Sequence, residues 1–429
     1  MIAKDLFRKL KAFITSEKEF FRNVSFVFGG KSIIAIIALV TTPILTRLYA
    51  PEAYGTFALY YSVVQSLVVL GTFALPAALN TAKKEAIIQI LKLTFICITL
   101  STIVIAITLY FFGVQFGFHE LPLRILTTYY YIIPLGFLLS STANTLSALQ
   151  LRMKEFKLTT KVNITEAFSA KTINLINGLL NMGGLGLIIS DLLSKLLGII
   201  ILIINFPSQL KQSYRLSWTE FKSIIRLIKN YPLFVMPAQW AGILSMQLIL
   251  WFIAYKFSAH QLGIYSVALS LLNIPLHILS NSFQPVITQR LVTARDVNND
   301  EFSMNKLLGL LMVISFLVFV GLYLIPSSWF TYYLGNQWLG IGIFIKILCW
   351  WHLVLFIDQS INNAFLVFDK QRQKLYFNLV DLALQVSTLA IASLISIELN
   401  LFIALFVLVK VVASVVRVEY IRRVVRKMI

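Results

Sequence analysis

Apolar runs of about 20 residues recur from Phe26 almost to the end of the chain, each long enough to cross the roughly 30 Å hydrocarbon core of a bilayer as a helix. Their pattern predicts an all-α, polytopic membrane protein with twelve transmembrane helices. The spans fall at about 24–46, 54–79, 87–111, 124–150, 159–180, 184–206, 231–254, 261–285, 305–325, 339–366, 374–397 and 400–421. At about 21 residues each they leave connections averaging about 14 residues. No separate soluble domain fits into such loops.

The longest polar interval among the spans, 207–230, carries five bases and one acid and falls halfway along the chain. It predicts a linker between two six-helix lobes, 23–206 and 231–421, flanked by an N-terminal segment 1–22 and a basic tail 422–429. An internal repeat supports that division. Placing Gly55 over Gly263, an offset of 208, aligns 48–57 with 256–265 and brings Pro76 within one position of Pro285. Separately, 148–157 is similar to 364–373; both leave a span through a short basic hinge. An even number of helices in each half gives both halves the same orientation. This is a parallel repeat about an axis along the membrane normal, an arrangement suited to alternating access. Pro43, Pro76, Pro134, Pro237, Pro275 and Pro285 lie inside predicted spans and are expected to kink them.

Composition agrees with the spans: 58% of the 429 residues are hydrophobic and 13% charged, about half the charged share of a soluble domain. The net charge of +19 would suggest nucleic acid in a soluble protein, but here its distribution is topological. With the N-terminus in the cytoplasm, 29 of the 37 Lys and Arg fall in inner segments and only Arg47, Arg124 and Lys256 in outer ones. That bias sets both termini of a multi-pass protein in the cytoplasm. Residues 1–22 alternate basic and apolar positions, as an amphipathic helix on an anionic leaflet or a solvated tail would. No cleaved signal peptide is expected, because the following apolar run is too long. Cys97 and Cys349 both fall inside spans, and no disulfide is expected.

Catalytic and metal chemistry is poorly represented. Phe28-Gly-Gly-Lys-Ser32 lacks the first glycine of a phosphate-binding loop, Ser25 standing in its place. His119, His260, His277 and His352 are isolated, so no metal site and no cofactor are expected. The informative residues are charges inside spans, each costing about 2.5–3.5 kcal/mol unless paired or facing water. These are Lys31, Glu166, Lys171, Asp191, Lys195, Lys346, Asp358, Asp381 and Lys410. Asp191 and Lys195 share a helix face at i,i+4 and read as an ion pair or part of a site. Glu166 and Lys171, five apart, point about 140° away from each other and need other partners. Lys346, near a span end, is expected to snorkel.

Lys31, Lys171, Lys195 and Lys410 are therefore the candidate cavity cations, with Glu166, Asp191, Asp358 and Asp381 as candidates for ion coupling or charge pairing. Such lysines, with amides such as Asn144, Asn163 and Asn273, suit an anionic, hydroxyl-rich solute, since ammonium groups bind phosphate and amides bind hydroxyls. Interhelical packing is the competing role for the amides.

The segment Thr42-Pro-Ile-Leu-Thr-Arg-Leu-Tyr-Ala-Pro-Glu-Ala-Tyr-Gly-Thr-Phe-Ala-Leu-Tyr60 resembles the helix 1 to helix 2 junction of polysaccharide flippases of the Wzx type, in the MATE-like MOP superfamily. The exit Leu149-Gln-Leu-Arg-Met-Lys-Glu-Phe-Lys157 is similar too. The resemblance implies a transporter, not an enzyme. It would move an undecaprenyl-pyrophosphate-linked oligosaccharide, such as an O-antigen or capsule repeat unit, from the inner to the outer leaflet of a bacterial cytoplasmic (inner) membrane. It further implies membrane lipids, a polysaccharide polymerase and a chain-length regulator as partners, and no nucleic acid. Two alternatives stand beside it. A MATE-type multidrug or cation antiporter would want cavity carboxylates and aromatics in place of lysines. A membrane polymerase or glycosyltransferase would want a larger outer loop than about a dozen residues.

Overall fold

The computed structural model describes residues 29, 32–81, 86–115, 129–206, 224, 228–297, 303–395 and 397–428. The N-terminal segment 1–22, Lys31 and most of the 207–230 interval lie outside them.

The apolar runs fold as helices because hydrocarbon offers the backbone no partner, and a helix satisfies its own N–H and C=O groups. The first half comprises α1 (Ser32–Leu48), α2 (Pro51–Gly71), α3 (Leu75–Thr81), α4 (Ile87–Gln115), α5 (Ile133–Arg152), α6 (Phe156–Leu179) and α7 (Gly183–Ile204). The second comprises α8 (Met236–Lys256), α9 (Ala259–Val297), α10 (Met304–Leu324), α11 (Ser327–Leu334), α12 (Ile341–Ile361), α13 (Ala364–Val367), α14 (Gln371–Leu394) and α15 (Leu399–Met428). Among the described residues, ten helical segments are long and apolar enough to cross a membrane. With α1 and the charge-bearing α6 they correspond one for one to the twelve predicted spans. The last helix runs through Met428, so the basic tail continues it. On α4 the stripe Leu100, Ile103, Val104 and Ile107 is 50–63% exposed, the surface that lipid would cover.

The prolines differ in setting. Pro43, Pro275 and Pro285 are interior to α1 and α9. Pro76 and Pro134 instead fall in the first turn of α3 and α5, where the missing N–H costs that helix no bond, while Pro237 follows a π-helical turn, Tyr231–Val235, that runs on into α8. At Pro76 the predicted span breaks in two: Phe73 and Ala74 adopt φ of 53° and 55°, and the Thr72 carbonyl, four before the proline, accepts from Leu75 N–H. The Ser101 hydroxyl takes up the end of α2 by donating to the Gly71 carbonyl at 2.9 Å.

The repeat predicted from sequence is visible where the lobes meet. A Cβ on Gly55 would overlap the Ala259 carbonyl, and one on Gly263 would overlap the Pro51 carbonyl. Pro51 and Ala259, like Gly55 and Gly263, are 208 positions apart. So are Glu52 and His260, whose side chains hydrogen-bond at 2.7 Å. Equivalent residues meeting reciprocally are what a two-fold axis through the contact requires. The second repeated segment is likewise structural: the α5–α6 and α13–α14 turns both close with a residue at positive φ, Lys154 at 61° and Asp369 at 55°. In both a 6→1 bond follows, Glu155 N–H to Gln150 O and Lys370 N–H to Phe365 O. The geometric offset is 215, one less than the sequence alignment placed it.

Further contacts seal the lobes at the end of the bundle where Tyr49 joins α1 to α2. Pro43 frees the Leu39 carbonyl, four residues earlier, and the Tyr333 hydroxyl of the other lobe donates to it at 2.5 Å. The Thr46 hydroxyl donates to the Leu334 carbonyl at 2.8 Å, and the Thr46 carbonyl accepts from Trp338 Nε1 at 2.7 Å and from Gln337 Nε2. Arg47 reaches the Tyr332 carbonyl at 3.0 Å. Behind this seal one continuous apolar core runs from Tyr60 and Val64 in α2 through Leu262 and Tyr265 in α9 to Phe356 in α12.

Candidate functional site

Among the described residues, the intramembrane charges gather into one cluster in each lobe, with Lys171 and Lys346 apart from both. In the second lobe Lys410 of α15 is 2% exposed and Asp381 of α14 is 8% exposed. Lys410 Nζ donates to Asp381 Oδ2 at 2.9 Å and to Ser245 Oγ of α8 at 3.1 Å. The Ser245 hydroxyl donates to the same carboxylate oxygen at 2.8 Å, and Gln385 Nε2 donates to both Ser245 Oγ and Asp381 Oδ2. Lys410 also lies over the Trp351 ring at 5.6 Å. Three helices thus close a neutral, hydrogen-bonded knot around one ammonium group, which is how a buried charge is tolerated.

Two helical turns along the same faces, about 10 Å away by helix rise, Arg417 Nη1 meets buried Asp358 Oδ2 at 3.1 Å. Lys410 and Arg417 are seven apart on α15, as are Trp351 and Asp358 on α12. Arg417 is not among the intramembrane charges singled out from the sequence, although it lies inside the predicted 400–421 span. Its i+7 spacing from Lys410 was the available signal. Ser245 and Gln385 carried none, because an uncharged polar residue in a span announces no partner.

The first lobe holds the expected i,i+4 pair: Lys195 Nζ lies 2.6 Å from Asp191 Oδ2, and both side chains remain 15% exposed. Tyr61 of α2 places its ring 5.3 Å from the same ammonium. Glu166 of α6 packs into the space left by Gly198 of α7, one turn beyond Lys195, and is within electrostatic range of both members of the pair. One cation is therefore held among two carboxylates and an aromatic ring, less enclosed than Lys410.

Lys171 faces the other way around α6, as its spacing from Glu166 requires. It lines a groove of about 340 Å³ between α1 and α6 and has no ion-pair partner among the described residues. Lys346 Nζ, near the start of α12, lies over the ring of Tyr323 at the end of α10 at 5.8 Å. Cys97 and Cys349 are free, and no group of three metal-ligating side chains occurs among the described residues.

Two lobes with charged interiors, related by a pseudo-two-fold axis and meeting at one end of the bundle, form a MATE-like fold. A MATE multidrug resistance transporter in its inward-facing state superimposes with a TM-score of 0.63 at 15% identity, over 94% of each chain. In the outward-facing state the TM-score is 0.64 at 14% identity, over 95% and 96%. A Pyrococcus furiosus MOP superfamily transporter, described by the reversed polarity of its binding pocket and a different function, gives 0.63 at 15% identity over 95% of each chain. Among curated proteins the chain has no significant match. The family profile named polysaccharide biosynthesis protein matches residues 44–342, and the chain belongs to that family. It is a multi-pass membrane protein.

Proposed function

We propose that this protein is a flippase carrying an undecaprenyl-pyrophosphate-linked oligosaccharide across the bacterial cytoplasmic membrane by alternating access. The observation that carries the reading is the sign of the charge inside the fold. Lys171 is unpaired among the described residues at mid-helix, and Lys195 remains partly open beside its acid. A solute that offers phosphate repays the cost of keeping ammonium groups there. The Pyrococcus furiosus neighbour is a precedent for linking pocket polarity to function within this fold. The charge bias across the predicted loops puts the Tyr49 end outside, so that the interlobe contacts close the outer end. A sugar polymerase and a chain-length regulator are the partners such a role calls for.

The rival reading, a cation antiporter, draws on the multidrug neighbours and on Glu166 and Asp191. Reconstituted protein distinguishes them. Transfer of an undecaprenyl-pyrophosphate oligosaccharide to the far leaflet, with strong loss in Lys195→Ala at unchanged abundance, is the expected result. Export of a lipophilic cation with no movement of the lipid-linked sugar would overturn the flippase reading.

A further inference from the structure

The groove between α1 and α6 is bounded at one end. The Tyr49 hydroxyl donates to the Asn174 carbonyl at 2.7 Å, and Gly178 lets the Tyr49 ring and Leu48 pack directly onto α6. Beyond that junction the two helices leave an apolar slot between them, its walls including Val40, Ile44, Phe168 and Leu175. Val40 and Phe168 are 60% and 61% exposed. The two threonines in its wall are committed to their own helices: Thr41 Oγ1 donates to the Ile37 carbonyl at 2.7 Å and Thr172 Oγ1 to the Phe168 carbonyl at 3.0 Å. Lys171 is thus the charged group of a slot that is otherwise aliphatic and aromatic.

Its depth narrows what can occupy the slot. Lys171 stands eight residues before the Leu179 end of α6, about 12 Å by helix rise, within a few Å of the middle of a hydrocarbon core about 30 Å thick. A four-carbon stem does not span that distance comfortably to either interface. The phosphate of a resident phospholipid stays at the interface and does not reach this level. A lipid whose head group is being carried through the membrane brings its phosphate to it.

We infer that the α1/α6 groove seats the lipid chain of the transported molecule while its phosphate pairs with Lys171 in passage. The inference rests on the flippase reading and adds a lateral slot through which an apolar chain stays in contact with lipid as the head crosses. Lys171 is a binding residue in this scheme. Removing its uncompensated charge should leave folding intact.

The test uses the full chain in nanodiscs of neutral lipid with a diazirine-bearing undecaprenyl pyrophosphate. Adducts should map to 36–45 and 168–175 and be displaced by undecaprenyl pyrophosphate but not by undecaprenol. Lys171→Gln should lower them about tenfold, a loss of about 1.4 kcal/mol, and Lys171→Arg should retain most. Val40→Trp should lower labelling by filling the slot from an exposed position. Labelling displaced equally by undecaprenol or phosphatidylglycerol and unaffected by Lys171→Gln would mean ordinary surrounding lipid and would overturn the inference. If lipid-linked sugar is transported while adducts map elsewhere, the groove assignment fails and the flippase reading stands. Groove labelling with the expected displacement, without transport, would support the groove and count against the flippase reading.

Discussion

Lys410 and Asp381 illustrate how a charge is carried inside a membrane helix. Their 2.9 Å contact is reinforced by Ser245 and Gln385, so removing one partner strands the other. Asp381→Ala should destabilise the folded protein by about 3–5 kcal/mol, read as lost abundance and a lower Tm in detergent. The double variant Asp381→Leu with Lys410→Met should regain stability, since apolar replacement of a buried pair is often neutral or better. Transport by that double variant decides the role: full activity would make the pair structural, whereas a stable but inactive protein would place it in the transport cycle. Asp191 and Lys195 were legible in advance because they lie on one helix four residues apart. Asp381 and Lys410 sit on different helices, and only packing reveals which acid neutralises which base.

At the scale of elements, the crossing of α2 and α9 depends on Gly55 and Gly263. Any Cβ there meets a backbone carbonyl, which cannot rotate aside as a side chain can. Gly55→Ala should therefore cost about 1–3 kcal/mol through overpacking and reduce transport with it. Gly309 in α10 has open space around its Cβ position, so Gly309→Ala should be neutral or stabilise by up to about 1 kcal/mol through helix propensity. Equal Tm losses in the two variants would refute the close-crossing account. The importance of Gly55 was readable from the repeat, because the aligned glycine lay 208 residues away. The break at Phe73 and Ala74 was not: a proline two residues on signals an interruption but does not say whether a helix bends or restarts.

For the whole molecule, the proposed alternating access requires the seal at the Tyr49 end to open. In a background lacking Cys97 and Cys349, Glu52→Cys with His260→Cys should crosslink, since the native side chains touch at 2.7 Å. The crosslinked protein should be arrested and recover on reduction; undiminished transport with the crosslink complete would refute opening at this end. The same background tests orientation. Ser328→Cys, exposed at the sealed end, should react with an impermeant reagent in intact cells while Ser213→Cys stays protected.

Span number, the two-lobe repeat and the expected charge topology follow from the sequence alone, because bilayer thickness sets helix length and local composition reports burial in lipid without any knowledge of neighbours. The Asp191–Lys195 pair belongs with them, being a property of one helix. Tertiary structure decided the rest: Asp358 with Arg417, Asp381 with Lys410, Tyr333 on the carbonyl freed by Pro43, and the groove that Lys171 lines. Each of these joins helices far apart in the chain, and a hydropathy pattern of period 3.6 shows which face of a helix is polar but not which helix it will meet.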